Sequence, residues 1–288
     1  MRYSIDRTHR LLKPGSLLFG LTLALLMLAE GAEAGTWPES RGHAQIIYSA
    51  SWFQSTSEYG AKGQTSPYGA KGLFTQTQVM PYMEVGLTSK TTLSLNPCLS
   101  HLRYQDSYGQ SSGGGFGDVE ISVRHELATT ESKWLVAGQG TWKFPAYSLA
   151  RNPAPGNHQQ DFEGRFLAGR GAELGQRHVF LDIEAAYRYR AGAPADQVRT
   201  DATAGIDIFP RTTLMAQFFG ITGMRNGSPV RPNSNPNAQS DFDLYKGQAS
   251  VLIQITRMNR VQLGWGNTIA GRNTGKGSTF VIGLWRSF

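Results

Sequence analysis

The chain has 288 residues, with 28 Lys and Arg against 21 Asp and Glu, a formal charge of +7 and a single cysteine. One cysteine excludes an internal disulfide framework, and basic residues scattered along the chain exclude a nucleic-acid surface. The positive excess suits contact with lipid headgroup phosphates.

The first segment reads as an export signal. Arg7, Arg10 and Lys13 form a basic head, Leu17 to Ala29 is free of charge, and Ala32-Glu33-Ala34 is a small-x-small cleavage site. The apolar stretch is shorter than the roughly 17–25 residues of a spanning helix. A cut before Gly35 is expected, with 1–34 a signal peptide and 35–288 the working domain. It would remove Arg2, Arg7, Arg10 and Lys13 together with Asp6, Glu30 and Glu33, taking the charge from +7 to +6. An uncleaved N-terminal anchor is the alternative. Nothing downstream approaches a hydrophobic transmembrane helix.

From residue 44 onward apolar and polar side chains alternate with period two, the mark of strands with one greasy and one polar face. Twelve strands are predicted, at about 44–55, 73–84, 91–104, 117–127, 134–144, 161–173, 179–190, 197–208, 213–223, 241–255, 261–270 and 278–288. Most are close to the 9–11 residues with which a tilted strand crosses a bilayer. "GDVEISVRHEL" (117–127) is typical, with Val119, Ile121, Val123 and Leu127 on one face and Asp118, Glu120, Arg124 and Glu126 on the other.

Short connections (86–90, 129–133, 174–178, 209–212, 256–260) alternate with longer polar ones (57–72, 105–116, 145–160, 191–196, 224–240, 271–277). That alternation predicts an all-β, transmembrane up-and-down antiparallel barrel with about twelve strands, tight periplasmic turns and long outer loops. An even count brings both mature termini to the periplasm. Loops 145–160 and 224–240 are long enough to enter the lumen. The expected location is the outer membrane, with its lipids as partners.

The chain ends in "STFVIGLWRSF", and a terminal aromatic, Phe288, is the feature that barrel-assembly machinery recognises. Arg286 falls on the apolar face of Phe280, Ile282 and Leu284, so either a bulge shifts the register or Arg286 reaches to the headgroups. Tyr48, Trp52, Trp134, Trp142, Tyr187, Tyr189, Trp265 and Trp285 are read as rim or outward aromatics.

Strand parity then turns the charges inward. The predicted lumen-facing set is Asp118, Glu120, Arg124, Glu126, Lys143, Glu163, Arg165, Asp182, Glu184, Arg188, Arg199 and Asp201, with Glu173, Arg190 and Asp207 on the same faces. The remaining strands present neutral polar residues such as Gln45, Ser49, Gln76, Gln78, Ser94, Asn96, Gln248 and Gln262. The charged wall is either a salt-bridge lattice that stiffens the barrel or a polar pathway that orients a solute. No hydrophobic pocket is expected, since the apolar faces are committed to lipid.

An enzyme is not predicted. A lipid hydrolase needs a hydroxyl and a histidine on one face, whereas Ser122 and His125 have opposite parity. No catalytic, cofactor or metal residues are assigned, because no His, Asp or Glu grouping has ligand spacing.

Two stretches carry a family likeness. Gly115, Gly117, Asp118 and Val119 form a Gly-x-Gly-Asp-hydrophobic strand start, and Glu84, Gly86, Leu87 and Thr88 a Glu-x-Gly-Leu-Thr turn. With Trp37 and Gly42 ahead of the first strand, the mature chain resembles the outer-membrane β-barrel family grouped as phenol-degradation meta-pathway proteins. The resemblance implies a gram-negative outer-membrane barrel that passes hydrophobic or aromatic compounds. The expected function is a channel or transporter-like barrel for small molecules of unidentified chemistry. The alternatives are a closed-lumen structural or surface-interaction barrel and, behind it, a lipid hydrolase.

Overall fold

The computed structural model describes residues 35–230 and 232–288; the expected signal peptide, 1–34, lies outside them. The strands are β1 (Ala44–Tyr59), β2 (Thr65–Pro67), β3 (Leu73–Gly86), β4 (Thr91–Asp106), β5 (Gly109–Thr129), β6 (Leu135–Pro145), β7 (Asp161–Leu174), β8 (Arg177–Arg190), β9 (Gln197–Phe209), β10 (Thr212–Gly223), β11 (Asp243–Gln254), β12 (Asn259–Arg272) and β13 (Thr274–Ser287). Each long strand pairs antiparallel with the next, and β13 returns to β1, closing a twelve-stranded barrel. Closure leaves no free edge, so the wall's backbone N–H and C=O groups can be placed within the ladder, prolines such as Pro81 and Pro97 having no N–H to place. The three-residue β2 folds back onto the end of β1, pairing Thr65 with Tyr59. Among the described residues no helix is long and apolar enough to cross a membrane.

Period two sets the two faces. On β5, Val123 and Leu127 are exposed outward while Ser122 and Arg124 are buried inward. Phe162, Phe166, Ile183, Tyr187, Tyr189, Trp265, Phe280, Ile282 and Leu284 are also exposed, and together they make an apolar outer belt. The outside of the molecule is therefore apolar and the inside polar, the reverse of a soluble sheet.

Four expectations need correction. Residues 105–116 are not a loop: β4 runs to Asp106 and β5 begins at Gly109. Ser111 and Ser112 pair with Tyr104 and Arg103. Asp106 Oδ1 accepts from the Tyr108 and Gly109 N–H groups at the hairpin tip. A Gly/Ser run lacks apolar alternation, yet its backbone groups still complete a ladder. Likewise 271–277 is a tight hairpin turning at Asn273 (φ 50°) between β12 and β13. Trp285 faces inward, donating from Nε1 to Gln262 Oε1 at 3.1 Å. No bulge lies near Arg286: Ile46 and Asn259 oppose it in unbroken register, and its guanidinium sits 5.0 Å from the Phe288 ring centroid.

The apolar side chains are not all committed to lipid. Phe53, Phe74 and Leu102 point inward and form a buried cluster, with Tyr68 and Tyr104 packed against it. They lie on β1, β3 and β4 towards the end that carries the long loops.

Candidate functional site

Ten of the twelve predicted lumen residues are held in ion pairs on the inner wall. Lys143 Nζ lies 2.8 Å from Asp118 and 2.7 Å from Asp161. Arg165 bonds Glu163 at 2.8 Å and Asp201 at 2.6 Å, and also contacts Glu184. Arg188 joins Glu120 at 2.9 Å to Glu163 at 2.7 Å, and Arg199 approaches Glu163 at 3.5 Å. Arg124, 3 % exposed, is paired with the equally buried Glu84 at 3.0 Å. Such pairs repay their desolvation only through several hydrogen bonds per charge, and these charges are shared among strands in that way.

The other two sit apart. Glu126 is at the rim of the short-turn end, 3.7 Å from the exposed Lys90. Asp182 has no cation within pairing distance among the described residues; its partners are the Thr36 N–H at 3.2 Å and the Thr36 hydroxyl at 2.5 Å. Glu173, expected inside, is instead in an exposed pair with His178 beside the turn, because β7 has run past the lumen there.

Thr36 belongs to a strap that precedes β1. Residues 35–43 enter the short-turn mouth beside β1 and β3 and reach β8, six strands away around a ring of twelve. The Glu39 N–H donates to Thr92 Oγ1 at 2.9 Å, and the Trp37 carbonyl accepts from Arg124 at 2.8 Å. The Trp37 ring meets Phe180 edge to face, and Thr36 is fully buried. Small residues make room: a Cβ on Gly86 would collide with the Ser40 carbonyl, and one on Gly169 would stand 2.9 Å from Thr36 Cβ.

The opposite mouth is crossed by loops. Loop 146–160 and loop 224–242 meet over the lumen. Ala154 N–H donates to Asn233 Oδ1 at 3.0 Å, and Asn235 Nδ2 to the Ala154 carbonyl at 3.1 Å. Asn152 and Ser234 exchange two further bonds. Asp196 ties in loop 191–196. It accepts from Arg190 N–H, Tyr187 hydroxyl and Asn226 Nδ2, each at 2.8 Å.

The wall of β10 to β13 differs from the charged one. Gln217, Gln248, Ser250 and Gln262 form a neutral hydrogen-bonded patch, with Gln248 Nε2 2.8 Å from Gln217 Oε1. Above it Phe219 faces the lumen, 36 % exposed, beside Lys246 in register. Lys246 and Glu84 were missed in the sequence, although they share the parity of Gln248 and of Gln76 and Gln78, already placed inside; Phe219 was missed too, on a strand that contributed no residue to the predicted inner face.

Ser122 and His125 stand apart as parity requires: Ser122 bonds Thr141 within the wall, and His125 bonds Thr91 on the outer side. Among the described residues no group of three or more His, Cys, Asp or Glu could hold a metal ion.

No family model matches the chain, and no curated protein matches it. Solved structures do. An outer membrane channel of the COG4313 group from Pseudomonas putida F1 superposes with a TM-score of 0.63 at 16% identity, over 90% of this chain and 100% of that one. The translocator domain of the autotransporter NalP from Neisseria meningitidis gives 0.49 at 10% identity, over 95% and 96% of the two chains. The NanC porin gives 0.47 at 9% identity, over 83% and 98%. At 16% identity the first of these shows a shared fold alone: a closed twelve-stranded barrel, here with a strap at one mouth and loops at the other.

Proposed function

We propose that the protein is an outer-membrane channel for small molecules, in which the strap and the paired loops restrict what passes. The observation that carries this reading is the inverted barrel: an apolar outer belt around a polar lumen whose two mouths are crossed by hydrogen-bonded segments rather than by the wall. In this reading the short turns and the strap are periplasmic. The chain is exported, cut before Gly35 and assembled with Phe288 as its terminal signal. Hydrophobic or aromatic compounds, as the phenol-degradation grouping suggests, are the solutes to try first. Phe53, Phe74, Leu102 and Phe219 support that choice, being apolar side chains turned into the lumen.

A second reading, a closed structural barrel, draws on the same two crossed mouths. Planar bilayers decide between them. The channel reading expects discrete conductance steps from the full mature chain, enlarged when residues 35–40 are deleted. Silence from both forms, each folded by the criterion of heat-dependent gel mobility, would leave the structural barrel.

A further inference from the structure

The cations of the charged wall, from β5 to β9, are matched to carboxylates, as the distances above record. The opposite wall breaks that rule. Lys246 projects inward from β11 with no carboxylate partner among the described residues, and its Nζ stands 5.4 Å from the centroid of the Phe53 ring. Its register neighbours are Phe219 on β10 and Thr268 on β12. Carboxylates on neighbouring strands are engaged elsewhere: Asp201, opposite Phe219, bonds Arg165, and Asp243 bonds Arg272 and Arg225.

Lys276, exposed at the loop end of β13, also lies over a ring, its Nζ 5.7 Å from the Tyr59 centroid. An aromatic face steadies an ammonium without neutralising it. A cation left in a partly desolvated lumen favours whatever anion enters.

We propose that Lys246, Phe53 and Phe219 form a binding site for a small aromatic carboxylate. The carboxylate would lie on Lys246 Nζ and the ring against Phe219, with Gln217 and Gln248 able to bond polar ring substituents. Lys246 acts by charge and the two rings by apolar contact, so the site discriminates against neutral and cationic aromatics of the same size. This deepens the channel reading and rests on it only in that the ligand must reach the lumen.

The test is fluorine NMR of 4-fluorobenzoate with the mature protein folded in a zwitterionic detergent. Neutral 4-fluorobenzyl alcohol and cationic 4-fluorobenzylamine serve as matched probes. Saturable line broadening is expected for the benzoate, with affinity falling about tenfold or more in Lys246→Gln, as loss of a charge-assisted hydrogen bond implies. Lys246→Arg should retain it. Lys90→Gln, at the far rim, should leave it unchanged. Equal affinity for all three probes, equal affinity of wild type and Lys246→Gln, or no saturable broadening would each overturn the site. Conductance measured on the same preparations separates the two readings. Conductance without benzoate binding removes the site and keeps the channel, whereas binding without conductance keeps the site and removes the channel.

Discussion

Replacing Arg124 with Met should destabilise the barrel far more than replacing both Arg124 and Glu84. The Arg124 guanidinium is 3.0 Å from Glu84 Oε2 and 2.8 Å from the Trp37 carbonyl, and both members of the pair are 3 % exposed. Without Arg124, the Glu84 carboxylate keeps the Tyr82 hydroxyl, at 2.9 Å, and the neighbouring Glu39, a second acid, but no cation among the described residues. Breaking one side of such a pair costs about 3–5 kcal/mol, because a buried charge is left alone. Removing both sides with apolar groups of similar volume, Arg124→Met with Glu84→Met, returns the barrel to within about 1 kcal/mol of wild type. Guanidinium unfolding in detergent, followed by tryptophan fluorescence, reads both. With a slope of about 4 kcal/mol per molar, the single variant's midpoint falls by about 0.75–1.25 M, and the double variant recovers most of that. The reasoning fails if the single variant lies within about 1 kcal/mol of wild type, or if the double variant is as weak as the single. A second readout separates the pair from the strap. Both variants lose the Trp37 carbonyl contact, so both should show noisier conductance even where stability is restored.

Gly169→Val should push Thr36 and Trp37 off β7 and raise single-channel conductance without changing the barrel's heat-dependent gel mobility; unchanged conductance would show that the strap does not restrict the lumen. Cleavage before Gly35 would set a new α-ammonium against Asp182, since a Cβ on Gly35 already collides with that carboxylate. Asp182→Asn should therefore speed amide exchange across 35–41 in the mature protein, and exchange equal to wild type would remove Asp182 as the strap's anchor. Burial alone would raise the Asp196 carboxyl, but donors from Arg190, Asn226 and Tyr187 outweigh it and hold it below the ordinary range. A depressed carboxyl stabilises at pH above its unfolded value of about 3.9 and loses that contribution as pH falls through its folded value. Hydrogen exchange in 224–230 should thus be flat from pH 8 to 5, after correction for intrinsic rate, and rise only below about pH 4; a rise near neutrality would refute the assignment.

The wall was legible because a two-residue period depends on alternation and not on particular residues: "GDVEISVRHEL" needs only that to be placed. Alternation also carried more than was taken from it. Phe53 has the parity of Gln45 and Ser49, Phe74 that of Gln76 and Gln78, and Lys246 that of Gln248, so the inward aromatics and the unpaired lysine were available to strict bookkeeping of faces. The strap was not. Residues 35–43 carry no period, and their place is set by contacts with Asp182, Arg124 and Gly169, which lie far off in sequence and meet only when the sheet closes. The loop pairing is hidden for the same reason: Ala154 and Asn233 bond across 79 residues, through side chains that read simply as polar.

The two missed features divide the lumen between them. Among the described residues, Asp182 on β8 has no cation within pairing distance and is met by the strap, while Lys246 on β11 has no carboxylate partner and meets only the Phe53 ring. Had the barrel been built only for rigidity, these two charges would have been neutral residues, like the mutually hydrogen-bonded Gln217, Gln248 and Gln262. An unmatched charge in a partly dry interior lowers stability unless something arrives to meet it. At Asp182 that something is Thr36 of the strap, and at Lys246 it has to come from outside. Lys246→Met should therefore stabilise the empty barrel against guanidinium while abolishing the saturable benzoate response. A variant that loses both stability and binding would mean that Lys246 serves the wall and not a solute.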